Sequence, residues 1–288
     1  MARYRIHNAK LNRTTGGNAV ILFCLLLLAV FMSLPLLYSV SSALKPFDEL
    51  WVFPPRFFVS NPTLKNFADL FSLIGDTWVP FSRYIFNTVL IAVTGTAGHV
   101  LLASMCAYAL AKHQFYGRKL FFNMVVLSLM FSSAVTGIPS YFVMHTLGWI
   151  NSYLVYILPA FASSLGLYLM KQFMEQMVPD TTLEAAKIDG AGEFRIFFKI
   201  VMPMVKPGWL TLIVFSFQGL WNVGASTYVY NEELKPLNYA MAQLLSSGIA
   251  RTGASMAASV LMMIVPIAVF LFSQSNIVET MSASGIKE

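Results

Sequence analysis

Apolar residues gather in six blocks free of Asp, Glu, Lys and Arg, at about 18 to 40, 84 to 111, 120 to 143, 153 to 170, 207 to 227 and 256 to 273. Crossing about 30 Å of hydrocarbon takes roughly 20 predominantly apolar residues in a helix. Each block is of that order, and the 19 basic and 13 acidic residues all fall between them. In a bilayer the backbone must satisfy its own hydrogen bonds, which a helix does within one segment. The pattern predicts an all-α integral membrane protein with six transmembrane helices. They form a domain over 18 to 273, between a segment at 1 to 17 and a tail at 274 to 288. The first apolar run is longer than the 7 to 15 residues of a signal-peptide core, so a retained helix is expected.

Composition agrees with this reading. Charged residues make up 11% of the chain and hydrophobic residues 57%, whereas soluble domains average about 25% charged. The charge that remains alternates in sign of bias from one connection to the next. Arg3, Arg5, Lys10 and Arg13, then Lys112, Arg118 and Lys119, then Lys171, Lys187, Arg195, Lys199 and Lys206, and finally Lys287 lie on one side. The intervening connections hold Lys45, Arg56, Lys65, Arg83, Lys235 and Arg251. Basic residues are retained on the cytoplasmic side, so both termini are expected there. The net charge of +6 is then a consequence of topology and requires no nucleic-acid partner. Cys24 and Cys106 fall in apolar blocks, as buried structural thiols do.

Three connections are longer than the 2 to 8 residues usual between bundle helices: 41 to 83, about 228 to 255, and about 171 to 206. The last is the most charged, and its sequence DTTLEAAKIDGAGEFRIFFKIVMPMVKPG reads as a helical hairpin. Thr181 and Glu184 have the spacing of a capping box. Leu183, Ala186 and Ile188 give the first helix an apolar side, and Gly190 is placed to stop it in a left-handed conformation. Phe194, Phe197, Phe198 and Val201 recur at helical spacing before Pro203. The result is a docking element that presents apolar knobs and mixed charge.

EAAKIDGAGEFRIFFKIVMP resembles the coupling signature of permease subunits of ABC importers, carried here by Glu184, Ala185, Ala186, Asp189, Gly190, Ala191, Ile200 and Pro203. Other stretches resemble the carbohydrate, MalG-like branch of that family: SSALKPFDELWVFPPRFF, NPTLKNFADLF, YIFNTVLIAV, AYALAKHQFYGRK and the Trp221–Asn222 pair. The tail SNIVETMSASGIKE is similar to the branch that carries complex oligosaccharides in Gram-positive bacteria. The resemblance implies a type I importer fold with a coupling helix at about 180 to 203, in a bacterial cell membrane. It also implies a homologous permease partner, two cytoplasmic ATPase subunits that bind ATP and Mg, and an extracytoplasmic solute-binding protein. This chain would bind no cofactor of its own. Glu184 and Asp189 would orient the loop through caps and ion pairs. Ala185, Ala186 and Gly190 would allow close approach, and Phe194, Phe197 and Phe198 would supply contact area.

The residues offer no chemistry of their own beyond transport. There is no Gly-Lys dipeptide, hence no P-loop, and no H-E-x-x-H. His7, His99, His113 and His145 are scattered. An ion-coupled secondary transporter would ordinarily carry ionisable groups at membrane depth, and no Asp, Glu, Lys or Arg stands in any of the six blocks. An importer for a non-sugar solute remains the alternative, because the coupling signature is shared. Sugars are held by aromatic faces and hydrogen-bonding groups, so Gln218, Trp221, Asn222 and Tyr228 are candidates for the translocation path, with Asn87 and Tyr108. Interhelical bonding and interfacial anchoring are the plainer roles for the same residue types. Gly95, Ala97, Gly98 and Ala103 would allow close helix packing.

Overall fold

A computed structural model describes residues 15–75, 79–224, 226–246 and 251–284. Arg3, Arg5, Lys10, Arg13 and Lys287 lie outside the described residues. The described residues are helical, without a strand. The helices are α1 (Thr15–Ala43), α2 (Phe47–Leu50), α3 (Lys65–Gly75), α4 (Phe81–Lys112), α5 (Arg118–Ser128), α6 (Ser133–Thr146), α7 (Leu154–Phe161), α8 (Ser164–Met177), α9 (Asp180–Ile188), α10 (Glu193–Ile196), α11 (Met202–Met204), α12 (Lys206–Trp221), α13 (Leu237–Ser246) and α14 (Thr252–Ser284).

Six spanning helices were expected. Among the described residues four helical stretches are long and apolar enough to cross a membrane: Gly16–Ala43, Phe81–Lys112, Leu154–Met177 and Thr252–Gln274. A fifth arises only if Glu193–Met204 and Lys206–Trp221, which meet at 80°, count as one broken span. The block at 120 to 143 is divided into α5 and α6. Ser128, Ser132 and Ser133 bound the break, and Ser132 stands before α6 in extended backbone (φ −78, ψ 153). Serine favours helix ends because its hydroxyl competes for backbone groups. Ser128 at the end of α5 donates to Val125 O at 2.7 Å. The expected tail is also helical as far as Ser284, within α14.

The chain divides into two units, Met1–Leu70 with Thr252–Val260, and Phe71–Arg251 with Leu261–Glu288. In the first unit, α1 exposes Val20, Phe23, Leu26, Val30 and Phe31 on every side. After it the chain folds back on buried polar groups. Asn66 Nδ2 donates to Ala43 O (2.8 Å) and Lys45 O (2.7 Å). Buried Glu49 accepts from Ser60 N at 2.7 Å, and that backbone bond is the main reason its carboxyl is held below the usual range.

In the second unit, α4 is the axis and packs against α7, α8 and α12. Small residues permit the close approach. A Cβ on Gly95 would lie 2.5 Å from Leu220 Cδ1, and one on Gly98 2.2 Å from Phe161 Cε1. On α8, a Cβ on Gly166 would lie 2.0 Å from His99 Nε2 and 2.7 Å from Leu212 Cδ1. His99 is buried and held through Nδ1 to Ala160 O, so its ring has little room to yield. We therefore expect Gly166→Val to destabilise the purified protein by about 1 to 3 kcal/mol through overpacking, read as a lower thermal midpoint in detergent. Gly137, with no atom near a built Cβ, should accept alanine without loss.

Candidate functional site

The connection after α8 forms the hairpin that its sequence implies, with a different start. α9 begins at Asp180, directly after Pro179 in extended backbone (φ −67, ψ 140), and no side chain caps it. The capping box expected at Thr181 and Glu184 is therefore not formed. Proline sets the entry, and the Asp180 carboxylate in the first turn suits the positive end of the helix dipole. The other end behaves as read. Gly190 has φ +75, Ala191 N donates to Ala186 O (3.0 Å) and Gly190 N to Lys187 O (3.0 Å). This pair of bonds is a Schellman closure.

From Glu193 the chain runs through α10, a π turn at Phe197–Val201 and α11. Pro203 has no N–H to give to Lys199 O, and widened turns are one way a helix absorbs such a loss. At Val205 (φ −94, ψ 26) the chain turns into α12. Trp209 Nε1 covers the Met202 carbonyl at the corner, at 3.0 Å.

The apolar residues of the hairpin divide into two sets. Leu183, Ala186, Ile196, Phe197 and Val201 are buried in one cluster with Ala107 and Tyr108 of α4, Met170 and Met174 of α8, and Leu212 of α12. Burying a side chain such as Phe197 contributes roughly 1.5 to 3 kcal/mol. Ile188, Phe194 and Phe198 face outward, 87%, 74% and 51% exposed. Ile188 and Phe197 thus exchange the roles expected of them. Ile188 is outside, where the helix is ending, and Phe197 packs 5.6 Å from the Tyr108 ring. Glu184, Ala185, Asp189, Gly190 and Pro203 are exposed, and Ala191 is half-buried.

Charge ties the hairpin to the end of α4, through residues that the sequence reading had not singled out. Lys112 Nζ is 2.8 Å from Asp180 Oδ1, and this bond holds the Asp180 carboxyl below the usual range. Lys187 is 3.0 Å from Glu193 Oε1, while Tyr108 Oη donates to Glu193 Oε2 at 3.0 Å. Among the described residues neither Glu184 nor Asp189 has an ion pair, so the orienting pairs expected of them are made by Asp180 and Glu193 instead. Alternating charge along the connection was visible in the sequence; its pairing with Lys112, far back in the chain, was not.

The remaining path candidates lie toward the opposite end of α4. Asn87 is fully buried: its Nδ2 donates to Glu233 O and Lys235 O, each at 2.8 Å, and its Oδ1 accepts from Tyr153 Oη at 2.7 Å. Thr88 Oγ1 accepts from Leu237 N at 2.7 Å. Asn151, at φ 59, accepts from Tyr230 N (3.1 Å) and Asn231 N (2.8 Å). Tyr84 Oη reaches Glu232 Oε1 at 2.9 Å, and Lys235 Nζ reaches Glu232 Oε2 at 2.6 Å. Burial alone would raise the Glu232 carboxyl, yet the bonds from Lys235 and Tyr84 outweigh it and hold it low. These groups clamp the segment after α12 onto α4.

Trp221 is also buried, stacked on Phe217 at 5.6 Å, with Nε1 donating to Met262 O at 3.1 Å. Tyr228 Oη donates to Gly137 O at 3.0 Å. Gln218 and Asn222 are the exposed polar candidates, on one face of α12 with Phe215. Tyr108 is separated from all of them, at the hairpin end of α4.

The family described as binding-protein-dependent transport system inner membrane component matches residues 99–282. The diacetylchitobiose uptake system permease protein NgcG of Streptomyces coelicolor is 30% identical over 200 residues, which cover 69% of this chain and 64% of that protein. The arabinooligosaccharides transport system permease protein AraQ of Halalkalibacterium halodurans is 30% identical over 282 residues, 95% of each chain. Among solved structures, a chain of a bacterial ABC transporter involved in the import of the acidic polysaccharide alginate has the same fold. Its TM-score is 0.75 at 21% identity, over 91% of this chain and 98% of that one. The chain belongs to the family of binding-protein-dependent transport system inner membrane components.

Proposed function

We propose that this chain is the permease subunit of an ATP-driven importer and forms part of the path for an oligosaccharide by alternating access. The observation that carries this is the hairpin of α9 to α11, built on one hydrophobic core with α4, α8 and α12 while Ile188, Phe194 and Phe198 stand free. A docking element of this kind must be rigid toward its own chain and apolar toward its partner, because work is transmitted only if the two states differ in contact energy. The partner for this face is a cytoplasmic ATPase subunit, which holds the ATP and Mg. The relatives' names support a sugar oligomer as cargo, and the family's name supports an extracytoplasmic binding protein. A second permease completes the path. With the basic connections in the cytoplasm, both termini lie there too, and the clamped segment 228–239 faces outward.

Glu184, Ala185, Asp189, Gly190 and Phe194 form the docking face. Gln218 and Asn222 line the path, whereas Asn87, Trp221, Tyr228 and Tyr108 hold the helices and loops that shape it.

Two measurements test this assignment. Phe194→Asp, Glu184→Lys and Gly190→Pro should insert at normal yield and lower uptake at least about tenfold, the effect of losing an interface anchor worth about 2 kcal/mol, with loss of ATPase subunits on co-purification. Normal uptake in all of them would refute the docking face. Asn87→Leu strands the carbonyls of Glu233 and Lys235, at a cost of about 1 to 3 kcal/mol. It should speed amide exchange at Leu237 by about tenfold or more; unchanged exchange would show that the clamp does not depend on Asn87.

A further inference from the structure

The turn between α4 and α5 and the adjoining side of α8 line a half-open cavity of about 710 Å³. Phe115, Tyr116, Arg118, Lys119, Phe122 and Lys171 are among its walls. The cavity has more positive than negative charge. Lys171, 8% exposed, places Nζ 2.7 Å from Glu175 Oε1 and 4.0 Å from the Phe122 ring centroid. Arg118 Nη2 lies 3.7 Å from that same carboxylate oxygen. One carboxylate therefore answers two cations, and Lys119 adds another with no ion pair among the described residues. The neighbouring Asp180 carboxylate is bonded to Lys112 and also acts on Arg118, which leaves Lys119 and the Lys171 side as the cavity's positive wall.

Unused donors point the same way. Arg118 commits Nε to Leu110 O (2.6 Å) and Nη2 to Ala111 O (3.1 Å), which closes the end of α4 and leaves other guanidinium N–H groups free. α5 starts after Gly117 at φ +88 without a side-chain cap. Arg118 N bonds Phe115 O and Phe121 N bonds Gly117 O, so the first-turn amides of Lys119 and Leu120 remain as donors at the cavity.

The position in the bilayer selects the anion. Residues 114–119 follow directly on the span Phe81–Lys112, and Lys171 lies within the span Leu154–Met177. The cavity therefore sits where hydrocarbon gives way to headgroups, with the Phe115 and Tyr116 side chains exposed beside it. Basic pockets between spanning helices at this level suit anionic headgroups, and aromatic side chains suit the same depth.

We propose that this cavity binds a phosphate monoanion carried by an anionic phospholipid. Lys119, Lys171 and the first-turn amides of α5 hold the phosphate, and Phe115 and Tyr116 lie along the glycerol and upper acyl chains. The inference rests on α4 and α8 spanning the membrane, and it goes beyond the transport reading.

The test is native mass spectrometry of the full chain released from nanodiscs of phosphatidylcholine doped with phosphatidylglycerol. Wild type should retain phosphatidylglycerol over phosphatidylcholine. Lys119→Gln should lower that retention roughly fivefold, and Lys119→Gln with Lys171→Met further, while Lys65→Gln, which is not among the cavity's lining residues, leaves it unchanged. The exposed Lys119→Gln change should keep the wild-type thermal midpoint in pure phosphatidylcholine, which separates lost binding from lost folding. Retention in Lys119→Gln equal to wild type would overturn the site. Full displacement of the lipid by inorganic phosphate at about tenfold excess would overturn the lipid as its source. Oligosaccharide uptake plays no part in this readout, so failure of the transport reading would register separately.

Discussion

The hydrophobic joint between the hairpin and the helix axis is the interaction on which the second unit depends. Leu183, Ile196, Phe197 and Val201 are buried in one cluster with Ala107 and Tyr108 of α4, Met170 and Met174 of α8, and Leu212 of α12. Small alanines on α4 make that surface flat enough for the Phe197 ring to lie against Tyr108. Without this joint the ion pairs Lys112–Asp180 and Lys187–Glu193 would be flexible surface contacts worth about 0 to 1 kcal/mol each. With it, they fix the rotation of a hairpin already seated by apolar contact.

The two ends of α4 meet their loops by different chemistry. The hairpin end relies on apolar burial backed by ion pairs. At the other end Asn87, Thr88 and Asn151 bond directly to backbone groups of residues 230–237. That segment has little regular structure of its own, so its carbonyls and amides need side-chain partners where water is scarce. Amide and hydroxyl groups meet this need without burying charge, and Glu232 and Lys235 add an ion pair at the rim.

Much of this was legible in the sequence. The charge-free blocks located the long helices, since exclusion of charge from hydrocarbon leaves a continuous trace. Gly190 announced the end of α9, because a left-handed residue after an apolar-periodic run is a local event. Long-range geometry was not legible. Whether a polar residue in an apolar block lines a path or clamps a loop depends on which backbone groups arrive opposite it, and Asn87, Trp221 and Tyr108 read alike until those neighbours are known. Periodicity placed Phe194, Phe197 and Phe198 on one helix but could not say which would turn inward. Phe197 turns inward beside Ile196, while Phe194 and Phe198 face outward. The break at 129–132 was missed because Leu129, Met130 and Phe131 keep the mean apolarity high between Ser128 and Ser132.

The corner at Val205 has a mechanical consequence. The arm Glu193–Met204 and α12 meet at 80°, close to a right angle, and the Trp209 indole closes the corner by bonding Met202 O. A displacement of the arm along its own length therefore acts almost wholly across the α12 axis, with little component along it. Such a push presses α12 against its packed contacts with α4 more than along its own length. The direction of the push is thus set by the angle held at the corner.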